Sequence, residues 1–159
     1  MIDLQADIIS FTSIGNIHLN DNISHYMQDM YENFNVETKE YTIPFPFNEK
    51  NVAYILDGIV SITTKQQGTI IGVGCNEKYK GKYNKKLYPG ITMGDLLRLT
   101  GSQRILNGTL IIDEDYGLSF TLPAPYDEIA DYLEDIPLDL KLNEIYVSDY
   151  SFWAPSLKE

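Results

Sequence analysis

Hydrophobic residues recur every three or four positions between Asp21 and Phe34. Asp21 or Asn22 can cap the first turn, because short polar side chains accept hydrogen bonds from free helical N–H groups. This spacing predicts an amphipathic helix whose apolar stripe packs against the core rather than against a cofactor. The stripe comprises Ile23, Tyr26, Met27, Met30, Tyr31 and Phe34.

Alternating and continuous apolar runs follow this helix. Residues 52–56 and 59–63 flank the pair Asp57-Gly58, which can take the positive φ angles that a tight hairpin needs. Residues 69–73 extend the pattern, and residues 36–43 precede it. We therefore expect an antiparallel meander in this part of the chain.

Helical and strand patterns alternate in the second half. Thr92 can cap a short helix that ends at Gly101. Residues 106–112 and 118–122 predict two strands about a turn at 113–117, although Asn107-Gly108 is itself a hairpin candidate. A last strand is predicted at residues 144–147.

A third helix is predicted between Pro125, which favours a first helical turn, and Pro137, which ends one. Its spacing places Ile129, Tyr132 and Leu133 on the inward face. Together these patterns predict an α+β fold in one domain, residues 1–159, with a mainly antiparallel or mixed sheet and about three helices on one side.

Charge narrows the possible partners. The chain of 159 residues carries 12 basic and 23 acidic residues, a net charge of -11. Because such a surface repels phosphate backbones, we expect no nucleic-acid partner. No apolar run reaches the roughly 20 residues of a membrane helix, and the N-terminus lacks the pattern of a secretory signal, so we expect a cytoplasmic protein without a membrane partner.

Residues suited to metal or thiol chemistry are few. Cys75 lies in an apolar stretch and is expected to be a buried structural thiol, although a catalytic pairing with His18 or His25 stays formally open. One cysteine and two histidines fall short of a zinc-ligand set. We expect no cofactor, no metal and no catalytic residues.

Acidic residues are concentrated near the two ends of the chain, and the C-terminal third supplies the candidate binding residues. The first group is the turn Asp113, Glu114 and Asp115, which could instead hold a divalent cation. The second group is predicted to share a helix face beside two aromatic rings and comprises Tyr126, Asp127, Asp131, Tyr132, Glu134 and Asp135. Such a face is either a solubilising surface or a docking surface for a basic protein.

Two other functions stay open at this point. Residues 78–88 interleave lysines with tyrosines, a combination that can hold phosphates while bases stack on the rings. Paired carboxylates could also serve a hydrolase, which would need a buried pair with separated pKa values.

Several segments of the sequence resemble one family. They are residues 79–82, 87–96, 110–113, 116–120 and 145–147, which carry the runs Tyr-Lys-Gly-Lys, Leu-Tyr-Pro-Gly-Ile-Thr-Met-Gly-Asp-Leu, Leu-Ile-Ile-Asp, Tyr-Gly-Leu-Ser-Phe and Ile-Tyr-Val. Over about half of the chain they resemble small bacterial immunity proteins encoded beside polymorphic or contact-dependent growth inhibition toxins.

The resemblance implies a non-enzymatic cytosolic protein that binds one cognate toxin domain and blocks its active site or its target site. Many such toxins are nucleases with basic clefts, which an acidic inhibitor can occupy in place of phosphates. Contacts vary within the family, so the candidate residues rest on the charge argument alone. The alternatives are an acidic regulatory or scaffold domain and a carboxylate-based hydrolase. The oligomeric state is left open.

Overall fold

A computed structural model describes residues 1–44, 46 and 48–155. Most of its strands belong to one antiparallel sheet of eight strands, and the remainder form two short ribbons. Within the described part of the chain, no helix is both long enough and apolar enough to cross a membrane.

The large sheet consists of two meanders joined by one late strand. Its strands are β3 Val36–Ile43, β4 Glu49–Leu56, β5 Val60–Lys65, β6 Ile70–Cys75, β8 Gln103–Leu106, β9 Thr109–Ile112, β10 Leu118–Thr121 and β12 Ile145–Ser148. The first meander has the order β3-β4-β5-β6, and the second has the order β10-β9-β8. Strand β12 lies between β6 and β10, antiparallel to both.

Strand register extends one apolar face across the centre of this sheet. Ile62 on β5 lies opposite Val73 on β6, Val73 lies opposite Val147 on β12, and Val147 lies opposite Leu118 on β10. All four side chains are fully buried. Because neighbouring residues on a strand point to opposite faces, this register sets the core side of the sheet.

Short helices and ribbons cover the core side. The helices are α1 (Met27–Asn33), α2 (Met93–Leu99) and α3 (Tyr126–Ile129), and the ribbons pair β1 (Ser13–Ile14) with β2 (Ile17–His18) and β7 (Ile91–Thr92) with β11 (Lys141–Leu142). Met30 of α1 and Leu96 of α2 are fully buried in one cluster with the strand residues. The predicted α+β class is therefore confirmed, with a sheet that is mainly antiparallel.

The predicted meander is also confirmed. Asp57 and Gly58 adopt φ angles of 53° and 65° in the three-residue connection from β4 to β5, where the N–H of Ile59 donates to the carbonyl of Leu56 at 2.8 Å. The predicted strand at 106–112 is wrong in its bounds, because Asn107 and Gly108 also adopt positive φ and turn the chain. Before that turn lies β8, Gln103–Leu106, a strand that the apolar pattern did not predict.

The first predicted helix is present in two pieces. A 3-10 turn, Ile23–His25, begins at Asn22, whose side chain accepts a hydrogen bond from the Ser24 N–H group. The chain then continues as α1 after Tyr26. Met30 is buried as predicted, whereas Tyr31 is 58% exposed.

Candidate functional site

Residues 126–139, here called the acidic segment, do not form the predicted continuous helix. The α-helix ends at Ile129, Ala130 and Tyr132 have extended backbone, and a 3-10 turn spans Leu133–Asp135. The prediction that Asp127, Asp131, Glu134 and Asp135 lie at helical spacing on one face is therefore wrong.

Asp135 accounts for the break in the helix. Its carboxylate accepts hydrogen bonds from the N–H groups of Asp131 at 3.1 Å and Tyr132 at 3.0 Å. These bonds give the backbone a local alternative to helical pairing. A continuous helix would also align Asp127, Asp131 and Asp135 four residues apart, where like charges repel.

The acidic segment is attached to the body by a few apolar residues. Ala130 and Ile136 are buried, and Tyr126 and Leu133 pack partly buried against the core. The 3-10 turn also contacts β8. The segment is thus fixed along its length, although its helical content is small.

Three large apolar side chains of the acidic segment face solvent. Tyr132 is 70% exposed, Leu138 is 65% exposed and Ile129 is 59% exposed. The inward placement predicted for Ile129 and Tyr132 is wrong. Of the three residues predicted to face inward, Leu133 alone packs against the core. The helical pattern could not identify Ile129 as a surface residue, because it assumed an unbroken helix, and Leu138 lies beyond the predicted helix, which ended at Pro137.

Most carboxylates of the acidic segment have no partner among the described residues. The side chains that make neither a hydrogen bond nor an ion pair there are those of Asp127, Glu128, Asp131, Glu134 and Asp139. The one ion pair in the described part of the chain joins Arg98 to Asp95. Asp135 differs because its carboxylate holds the backbone. The segment thus presents exposed apolar groups between uncompensated negative charges.

The acidic turn at 113–115 has a structural role. Asp113 accepts hydrogen bonds from the N–H groups of Gly101 at 2.7 Å and Ser102 at 3.0 Å, and these bonds connect the turn to the start of β8. Asp115 accepts from Ser10, Tyr83 and Gly117. Only Glu114 is exposed without such contacts. No group of three metal-ligating side chains occurs among the described residues.

The lysine and tyrosine segment offers few rings for stacking. The hydroxyl of buried Tyr79 donates to the carbonyl of Ala6 at 2.6 Å and accepts from the N–H of Gly15 at 2.9 Å. Tyr83 is also buried, and its hydroxyl bonds to Asp115. Tyr88 is 38% exposed, which leaves one accessible ring where a platform for successive bases needs several.

Cys75 is the buried structural thiol that the sequence predicts. It lies at the end of β6 with 4% of its surface exposed. Burial is the main cause that raises the pKa of the thiol to about 12. The negative charge of nearby Glu144 also raises this pKa, whereas a hydrogen bond involving the backbone of Ile145 lowers it. A thiol in this state is a poor nucleophile at neutral pH.

Comparisons with protein-family models, curated proteins and solved structures found no match. The class that the fold defines is α+β.

Proposed function

We propose that this protein is a non-enzymatic binding protein whose acidic segment docks onto a basic protein domain, and that this domain is a toxin which it neutralises. The observation that carries the proposal is the exposure of Ile129, Tyr132 and Leu138 between carboxylates that have no partner among the described residues. The sequence resemblance to bacterial immunity proteins supports the choice of a toxin.

The two kinds of side chain have different roles in docking. Exposed carboxylates attract a basic partner over a distance and raise the association rate. Apolar and aromatic side chains that become fully buried supply much of the affinity, and truncation of such an anchor costs 2 kcal/mol or more, about 30-fold in affinity. Tyr132 is the strongest anchor by size and exposure.

The fold supports binding by an already ordered surface. Ala130 and Ile136 attach the acidic segment to the core, and Asp135 fixes the backbone between them. A surface that is ordered before binding loses less conformational entropy on association. The partner therefore meets exposed side chains on a backbone that is already held.

The experiment is affinity capture from the native lysate with matched variants of the full chain. One variant removes three negative charges through the substitutions Asp127→Asn, Asp131→Asn and Glu134→Gln. A second variant removes two apolar side chains through Tyr132→Ala and Leu138→Ala. The control makes the same charge change at exposed positions of β3 and β4, Glu37→Gln, Glu40→Gln and Glu49→Gln. We expect wild type and control to capture one basic protein that both segment variants lose.

The captured protein is then expressed alone and together with the bait. Growth arrest that co-expression relieves supports the toxin assignment. A captured protein that leaves growth unchanged contradicts that assignment and indicates a regulatory or scaffold role. Equal loss of capture by the control variant contradicts docking at the acidic segment.

Binding kinetics separate the contribution of the carboxylates from that of the apolar side chains. We expect the charge variant to slow association roughly tenfold at low salt and the apolar variant to accelerate dissociation. Surface plasmon resonance of the purified pair at two salt concentrations measures both rates. Unchanged association of the charge variant at low salt contradicts electrostatic steering by these residues.

A further inference from the structure

A second charged surface lies outside the acidic segment and has the opposite sign. Lys80, Lys82 and Lys141 line one groove of about 370 Å³, together with a single acidic residue, Glu77. Lys141 follows the other two by about 60 positions in the sequence, so the fold rather than a local charge run assembles this cluster. This basic groove belongs to a protein whose net charge is -11.

Backbone hydrogen bonds fix the main chain of Lys80 and Lys82. The N–H of Lys80 donates to the carbonyl of Leu4 at 3.1 Å, and the carbonyl of Lys82 accepts from the N–H of Ile8 at 2.9 Å. Gly81 lies between them against the carbonyl of Ala6, where a side chain would not fit. The lysine backbone is therefore fixed along the N-terminal residues.

The other side of the groove is fixed by the β7–β11 ribbon. Lys141 pairs with Thr92, and the N–H of Gly90 donates to the carbonyl of Leu142 at 2.7 Å. These contacts place Lys141 next to the segment that carries Tyr88. The ammonium group of Lys82 lies 5.8 Å from the centre of the Tyr88 ring, within the range of a cation–π contact.

None of the three lysines forms an ion pair with another described residue. Three cations facing one groove repel each other, and an anion bound between them removes that repulsion. At physiological salt the Debye length is about 8 Å, so carboxylates farther than this from the groove are largely screened. The carboxylates nearest to it are Glu77, which lines the groove, and Asp3 and Asp7, which act on the lining residue Tyr79. The three ammonium groups that line the groove can therefore hold an anion at close range, although the whole chain carries a net charge of -11.

We propose that the basic groove binds a small molecule through a di- or triphosphate group. Lysine ammonium groups act as point charges that suit phosphate oxygens, and three of them match an anion that carries several charges. The side chain of Asn143, another lining residue, can add a neutral hydrogen bond. The volume lies near the lower end of ligand pockets, which run from about 300 to 1,000 Å³, and fits a small ligand.

The test is isothermal titration calorimetry of the full chain with tripolyphosphate, ATP, adenosine and citrate at physiological salt. We expect tripolyphosphate and ATP to bind, and adenosine and citrate not to bind. If ATP binds clearly more tightly than tripolyphosphate, the ligand is a nucleotide. If the two bind with equal affinity, the phosphate group is the part that the groove recognises. Citrate binding as tight as tripolyphosphate binding, or no binding of either phosphate compound, overturns the proposal.

Single variants locate the site. We expect Lys82→Ala and Lys141→Ala each to weaken tripolyphosphate binding roughly tenfold, since each removes one charge-assisted contact. Lys86→Ala removes the same charge from an exposed position that does not line the groove, and we expect less than about a twofold effect. Equal losses in all three variants indicate diffuse electrostatics and overturn the assignment. Circular dichroism checks that each variant is folded.

The outcome does not depend on the proposed function. The probes are small molecules, and the lysine variants leave the acidic segment unchanged. Failure of phosphate binding therefore leaves the toxin proposal standing, and failure of partner capture leaves the basic groove standing.

Discussion

The hydroxyl group of Tyr83 donates a 2.6 Å hydrogen bond to the carboxylate of Asp115. The same carboxylate accepts hydrogen bonds from the hydroxyl of Ser10 and from the N–H of Gly117. Burial raises the pKa of Tyr83 above its ordinary value of 10.0, and the hydrogen bond to Asp115 raises it further. Tyr83 therefore stays a protonated donor at neutral pH, and Asp115 connects three separate parts of the chain.

The first prediction concerns this connection. Asp115→Ala leaves three donors without their acceptor, and we expect a loss of about 2 to 3 kcal/mol in the free energy of unfolding. Urea denaturation followed by circular dichroism measures the loss. The control is Glu114→Gln, an exposed neighbour, for which we expect a change within about 0.5 kcal/mol. Equal effects of the two substitutions contradict the structural role of Asp115.

The second prediction compares two glycines on β6. The ring of Tyr146 covers Gly74 from the adjacent strand, so an added methyl group overlaps the ring. We expect Gly74→Ala to lower the free energy of unfolding by about 1 to 3 kcal/mol. At Gly72 the nearest atoms lie 3.8 to 3.9 Å from an added methyl group, an ordinary contact.

Gly72→Ala is therefore the matched control, and we expect it to be neutral or slightly stabilising, because alanine restricts the unfolded chain more than glycine does. Thermal and urea unfolding of both variants check the difference. A stable Gly74→Ala variant means that the Tyr146 ring moves away without cost.

The third prediction concerns Cys75. Burial raises the pKa of its thiol from 9.0 to about 12, which lowers the thiolate fraction at pH 8 by roughly a thousandfold. We expect slow reaction with an aromatic disulfide reagent in the folded protein and fast reaction in urea. Fast labelling under native conditions shows that the thiol is accessible and contradicts its structural role.

The same pKa shift has a consequence for stability at high pH. The unfolded chain loses the thiol proton near pH 9, whereas the folded chain keeps it up to about pH 12. Deprotonation therefore favours unfolding only above pH 9, so the stability from this group is full below pH 9 and declines between pH 9 and 12. Cys75→Ser, followed by urea unfolding across this range, tests the decline: we expect a shallower slope than in wild type.

The fourth prediction concerns the shape of the acidic segment. Asp135→Ala removes the acceptor for the N–H groups of Asp131 and Tyr132, and we expect a loss of about 1 kcal/mol, similar to the loss of a helix cap. Hydrogen exchange of these two amides should accelerate. Glu134→Ala removes an adjacent charge that makes no such bond, and we expect exchange there to stay as in wild type. Equal acceleration in both variants contradicts the capping role.

The sequence predicted those elements whose local signals agree with their tertiary contacts. Asp57-Gly58 lies between two apolar runs, and both the turn and the strands follow from that pattern. Thr92 caps α2 through the N–H of Asp95 as its position predicts. In both cases the information lies within a few residues.

Other features depend on contacts that a local pattern does not contain. The third helix fails because the Asp135 carboxylate competes for backbone N–H groups, although two prolines bound a suitable helical stretch. The candidate residue Tyr126 is partly buried rather than an exposed anchor, since the shortened helix packs it against the core. Lys141 joins Lys80 only through the pairing of β11 with β7, which no spacing in the sequence indicates.

The large sheet can be completed only late in biosynthesis, because it needs β12. The four residues of β12, Ile145–Ser148, separate β6 from β10, yet the ribosome makes them after both meanders. Until they emerge, β6 and β10 each have an unpaired edge, and such edges invite pairing with other chains. The nascent chain is therefore open to aggregation from the time β6 leaves the ribosome until β12 does, and a synonymous codon change that slows translation in this interval should lengthen its need for chaperones.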